Sequence, residues 1–146
     1  MGSSMEAWRF WPWSTATAAG GGVAGFFVLL WLGDPARTAG GLVAATMNGV
    51  VLFFLVGGIF AAFRAAEQRS RSLADHPWRF ALAPAVAALV VLLALRMTAL
   101  ALRLDGPWRT VPDSLLDVGG RSLVVFVVIA AVAGRSGRRR RPSPYR

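Results

Sequence analysis

Arginine and aspartate are the side chains in this sequence best equipped for chemistry, and their spacing narrows what that chemistry can be. Asp117 and Arg121 stand one helical turn apart with the acid first, the favourable order for an i,i+4 ion pair. Arg96 interrupts an apolar stretch, 80–102, that carries no other charge. An arginine at the centre of a membrane helix costs at least about 2.5–3.5 kcal/mol, less toward the helix edge, so it needs a compensating group. Three readings are open for it. It can form a structural ion pair, with Asp117 as the expected partner. It can snorkel to headgroups from a depth of about 9 Å. It can also contact an anion or lipid headgroup. Arg96, Asp117 and Arg121 are therefore the candidate intramembrane ion pair or ligand contact. Asn48, close to Thr46 in a second apolar stretch, is a candidate interhelical polar contact, a kind typically worth about 0.6 kcal/mol and rarely above 1.7.

Other chemistries lack their residues. There are no cysteines, which removes thiolate catalysis, disulfide exchange and thiolate metal sites. His76 is the only histidine, so neither paired axial haem ligands nor a multi-histidine metal centre can be built from this sequence. Gly20-Gly21-Gly22 lies inside an apolar segment with no preceding strand and no following lysine, unlike a phosphate-binding loop. No catalytic residues, cofactor or metal are expected, and the chain is not expected to be an enzyme.

The elements that must position these residues are membrane helices. The 146 residues are 55 % hydrophobic and 16 % charged, and the charges are segregated so that apolar runs of spanning length remain. Four crossings are predicted: 15–32, 41–63, 80–102 and 115–134. The uncharged part of the fourth, 122–134, covers only about 20 Å, too short for a hydrocarbon core of about 30 Å. It becomes long enough if Ser114-Leu115-Leu116-Asp117 acts as a capping box and the helix starts wet, near Leu115. Pro84 is expected in the first turn of the third helix, where its missing N–H costs little. The spacings Gly21/Gly25, Gly57/Ala61 and Gly58/Ala62 would permit close helix approach.

All 16 basic residues are arginine, and their distribution predicts orientation. Arg9 lies in an aromatic leader, 1–14. Arg64, Arg69, Arg71 and Arg79 lie in a basic loop, 64–79, and six more arginines in a tail, 135–146. These segments are expected in the cytoplasm, with both termini inside. Trp8, Trp11, Trp13 and Trp78 would then form an inner aromatic belt, and Trp31 and Trp108 an outer one. The Ala, Gly, Val, Leu and Arg bias suits a GC-rich bacterial genome, which makes the bacterial cytoplasmic (inner) membrane the expected location. Arg138, Arg139, Arg140 and Arg141 follow the last helix and are candidate contacts for anionic lipid headgroups. Nucleic acid is not expected as a partner, because no aromatic platform interleaves with the basic run.

The chain also looks duplicated. Trp8-Arg9-Phe10 precedes the first crossing and Trp78-Arg79-Phe80 the third, about 70 residues later. Pro35-Ala36-Arg37-Thr38 and Pro107-Trp108-Arg109-Thr110 follow in nearly the same phase. The expected architecture is an all-α integral membrane protein built as two tandem, parallel-repeat helical hairpins, 15–63 and 80–134. The expected role is a non-enzymatic accessory or structural subunit of a larger membrane complex, with a membrane-protein partner or a second copy beside it. The alternative is an oligomeric small transporter or channel using Arg96 and Asp117.

Overall fold

The computed structural model describes residues 2–68, 73, 75–104 and 110–138, with side chains from Met5 onward. Five helices are described from end to end: α1 (Gly2–Arg9), α2 (Trp13–Gly33), α3 (Ala39–Glu67), α4 (Pro77–Ala101) and α5 (Val111–Arg138). No strand occurs among the described residues. The last four helices have 21, 29, 25 and 28 residues and are long and apolar enough to cross a membrane. At about 1.5 Å per residue each exceeds a core of about 30 Å. The chain is a small multi-pass membrane protein.

Each crossing helix starts before the apolar run that predicts it, and in α3 and α5 the capping residues account for this. Thr38 is extended (φ −117°, ψ 145°), and its hydroxyl accepts from the Gly41 backbone N–H at 3.3 Å, starting α3. Trp31 donates its indole N–H to the Thr38 carbonyl at 2.7 Å and lies against Gly41, where a Cβ would strike the ring. The α2–α3 turn is thereby closed by an aromatic clasp. Pro77 occupies the first turn of α4, which places Pro84 two turns inside that helix, not in its first turn. The lost i−4 bond there weakens α4 locally, as a proline inside a helix does.

The cap of α5 also lies elsewhere than the sequence suggests. Thr110, not Ser114, does the capping: its hydroxyl accepts from the Asp113 N–H at 3.3 Å and donates to the Asp113 carboxylate at 2.6 Å. Ser114 is buried and donates to the Thr110 carbonyl at 3.0 Å. With the helix starting a turn earlier, Asp117 is free of capping duty and can act laterally.

Packing is asymmetric. Helices α3, α4 and α5 pack mutually, whereas α2 packs on α3 and hardly touches α4 or α5. Only 11 % of the apolar stretch of α2 is buried, against 39 % for α4. A pair of hairpins related by a two-fold would place α2 on α5 as α4 sits on α3, and that contact is missing. Instead α1 turns back beneath the bundle and packs on α4 and α3. It buries Ala7, Phe10 and Trp11 with Ala61, Ala65 and Phe80. Trp11 is therefore a core residue at 4 % exposure, while Trp13 and Trp78 are exposed, as belt residues are. Trp108 lies outside the described residues.

The helices approach through Gly57 and Gly58, which the spacing suggests, but on α2 through a different glycine from Gly21 and Gly25. Gly20 and Gly49 make the α2–α3 crossing: a Cβ on Gly49 would come within 2.7 Å of the Ala24 Cβ and 2.8 Å of the Gly20 carbonyl. Gly57 faces Trp11 and Gly58 faces Ile129, each close enough to exclude a Cβ. Gly21 and Gly25 have nothing within 4 Å of a modest side chain's first carbon.

Candidate functional site

Three helices converge on one polar cluster. Helices α3 and α5 begin at the same end of the molecule and α4 finishes there, so depth can be counted from that end. Arg96 lies about 8 Å from the end of α4, and Asp117 about 9 Å from the start of α5. Asn48 and Arg121 are about 14–15 Å inside α3 and α5 respectively. Matching depths allow two lateral contacts on adjacent levels.

On the upper level, Arg96 Nη2 donates to Asp117 Oδ2 at 3.2 Å. Arg121 Nε donates to Asp117 Oδ1 at 3.0 Å, so one carboxylate is shared between two guanidinium groups on different helices. On the lower level, Arg121 Nη1 donates to Asn48 Oδ1 at 2.6 Å. The structure therefore brings together all four residues singled out from the sequence. Asp117 links α4 to α5, and Arg121 links α5 to α3.

The cluster is graded in exposure. The Arg96 side chain is 2 % exposed, whereas those of Asp117 and Arg121 are 30 % and 28 % exposed. Arg96 thus turns inward to Asp117 rather than outward to headgroups. Below it Met47, Leu92 and Val118 form an apolar layer that closes the interior. An ion pair in such a place gains Coulomb energy in a low dielectric but loses hydration. Its net contribution is small; removing one partner is what costs much.

Chemically, the arrangement can hold helices in register and keep a charge inside an apolar bundle. It has no nucleophile next to a base. No group of three or more His, Asp or Glu residues that could hold a metal ion occurs among the described residues. His76 is exposed and serves through its backbone carbonyl, which accepts from Phe80 as α4 begins. Thr46 hydrogen-bonds to its own helix at the Leu42 carbonyl, 3.0 Å away. Arg138 ends α5 and is exposed; Arg139, Arg140 and Arg141 lie outside the described residues, as do Arg69, Arg71 and Arg109.

The contact that residue-by-residue reading missed is Arg121 with Asn48. Its signal was available in the equal depths of the two residues along helices that run in the same direction. No family model, curated protein or solved structure matches this chain.

Proposed function

We propose that this chain is a non-enzymatic structural subunit of a larger membrane assembly. The observation that carries the reading is the unpartnered small-residue face of α2. Gly22 and Gly25 are open, on a helix that packs chiefly on α3 and leaves Phe26 and Leu29 exposed. Glycine faces contribute little to contact with lipid tails but let another helix approach closely, where dispersion and weak hydrogen bonds become favourable. The expected partner is a transmembrane helix of another protein or of a second copy.

The polar cluster fits the same role. Its arginines are engaged in helix-to-helix contacts, and Arg96 has almost no exposed surface to offer a permeating ion. This favours assembly over the alternative of an oligomeric transporter or channel that uses Arg96 and Asp117. The reading includes a bacterial inner-membrane location with both termini in the cytoplasm, tandem duplication of the hairpin, and anionic lipid beside Arg138 and the basic tail. Arg9, Arg64, Arg79, Arg135 and Arg138 are exposed where α1, α3, α4 and α5 meet that face, which supports the orientation.

Purification of the native protein in a mild detergent tests the proposal. A stoichiometric membrane-protein partner, or a defined homo-oligomer, is expected, and Gly25→Leu should release it without unfolding the chain. A monodisperse monomer with no partner would sink the structural reading. Ion or solute flux in liposomes that disappears in Arg96→Leu would favour transport instead.

A further inference from the structure

Because α2 leans away from α4, a trough remains between them, floored by α3. Two apolar grooves, of about 470 and 390 Å³, form it and join at Thr46 and Val91, which line both. One groove passes between Leu42 and Val43 of α3 and Ala94, Leu95 and Thr98 of α4. The other runs past Gly20, Gly21 and Ala24 of α2. From Leu42 to Phe54 the floor is about 18 Å long. A single leaflet contributes about 15 Å of a 30 Å hydrocarbon core, so the trough has the length of one acyl chain's territory.

Its chemistry is equally restrictive. Its polar lining residues are three threonines. Thr17 belongs to the inner groove, and the hydroxyls of Thr46 and Thr98, at the centre and mouth, are satisfied by their own helices, at 3.0 Å to the Leu42 carbonyl and 2.8 Å to the Ala94 carbonyl. The inner end is stopped by Phe53 and Phe54, on which Trp11 and Trp13 pack at centroid distances of 5.7–6.3 Å. A helix crossing both leaflets would meet that aromatic barrier, whereas a chain entering from one leaflet would end at it.

A cation adjoins the mouth along the chain. Leu104 lines it, and Arg103 immediately precedes Leu104. Arg103 adopts φ 55°, the left-handed conformation that glycine favours. The Leu104 N–H bonds to the Ala99 carbonyl at 2.9 Å and the Arg103 N–H to the Leu100 carbonyl at 3.0 Å, the paired bonds of a Schellman helix end. The turn thus folds Leu104 back over the groove and fixes an exposed arginine beside it. Among the described residues Arg103 makes no ion pair.

The geometry points to a phospholipid site: one acyl chain lies in the α2–α3–α4 trough and the headgroup phosphate pairs with Arg103. The occupant is a lipid of the leaflet at the α4–α5 loop end. Apolar length, a closed inner end and a positive mouth are the complement of an acyl chain joined to a phosphate.

The test uses the full chain in nanodiscs containing phosphatidylglycerol that carries a diazirine in one acyl chain, with native mass spectrometry after mild extraction. One retained phospholipid per chain is expected, with photolabel on α3 and α4 between Leu42 and Phe54 and between Val90 and Thr98. Val91→Trp should fill the junction and abolish retention. Arg103→Gly keeps the left-handed turn and should weaken retention roughly fivefold, the effect of one arginine on an anionic headgroup, while Arg103→Lys should restore it. Absence of bound lipid, label confined to other helices, or equal retention in Arg103→Gly overturns the site. A doubled chain mass that Val91→Trp abolishes assigns the trough to a second copy and likewise overturns it. Should Val91→Trp not fold, Ala94→Leu with the labelling map gives the same decision.

Discussion

Arg96, Asp117 and Arg121 are stable in a membrane helix bundle only as a set. With Asp117 replaced by leucine, the buried Arg96 loses its carboxylate and Arg121 its i,i+4 partner. The expected loss is about 2–4 kcal/mol, toward the low end because Asp117 is partly exposed. Arg96→Leu combined with Asp117→Leu removes the buried charge as well, and should be more stable than Asp117→Leu alone. Thermal unfolding of the three variants in one detergent checks this; simple additivity would mean that the pair does not interact. Asn48→Ala should cost less, about 0.6–1.7 kcal/mol, because it removes one interhelical hydrogen bond without stranding the ion pair. The sequence placed Arg96 and Asp117 together by connectivity, since antiparallel neighbours joined by a short connection bring the end of α4 to the start of α5. It did not place Asn48, because an asparagine in an apolar helix can face any neighbour at its depth.

At the scale of elements, glycine position matters more than glycine number. Gly49→Val would drive a side chain into Ala24 and the Gly20 carbonyl, prising α2 from α3. Overpacking of that kind costs about 1–3 kcal/mol, read as a lower unfolding midpoint. A Cβ on Gly21 has no neighbour within 4 Å, and Gly21→Ala should leave the stability within about 0.5 kcal/mol of the parent. Equal effects of the two changes would contradict the observed crossing. Spacing alone picked out Gly21 and Gly25, because small residues four apart form a stripe wherever the helix is rotated. The structure uses Gly20, one residue and about 100° around the axis away. Helix starts follow the same logic: Thr110 and Ser114 are both competent caps in sequence, and the helix begins at the earlier one, where Asp113 completes a reciprocal pair.

Across the whole molecule, α2 lacks the contact with α5 that a two-fold arrangement would give it, and α1 packs on α4 and α3. Helix α1 fastens the ends of α3 and α4 through Ala7, Phe10 and Trp11, and leaves α2 as an outlying helix. Trp11→Ala should therefore cost about 3–5 kcal/mol, although the sequence suggested a residue of the inner aromatic belt. Orientation is checked directly because the chain has no cysteine to remove. Single cysteines at Arg64 and at Arg37, both exposed and at opposite ends of α3, should react with a membrane-impermeant maleimide from opposite sides, Arg64 only from the cytoplasm. Labelling of Arg64→Cys in intact cells would reverse the orientation inferred from arginine counting.

The sequence by itself determined how many helices cross and roughly where, because spanning depends on the length of an apolar run measured against bilayer thickness, a property each segment carries alone. It also named Asp117 as the expected partner of Arg96, while leaving snorkelling and a ligand contact open for that arginine. Only the tertiary structure decided which faces touch. Helices α2, α3 and α4 are apolar all round, so no stripe marks an inward side, and a rotation of one residue exchanges Gly20 for Gly21 at no cost in hydropathy. That freedom is settled by close packing, which seats Gly20 on Gly49, carries Arg121 to Asn48, and leaves a lipid-length trough where α2 and α4 do not meet.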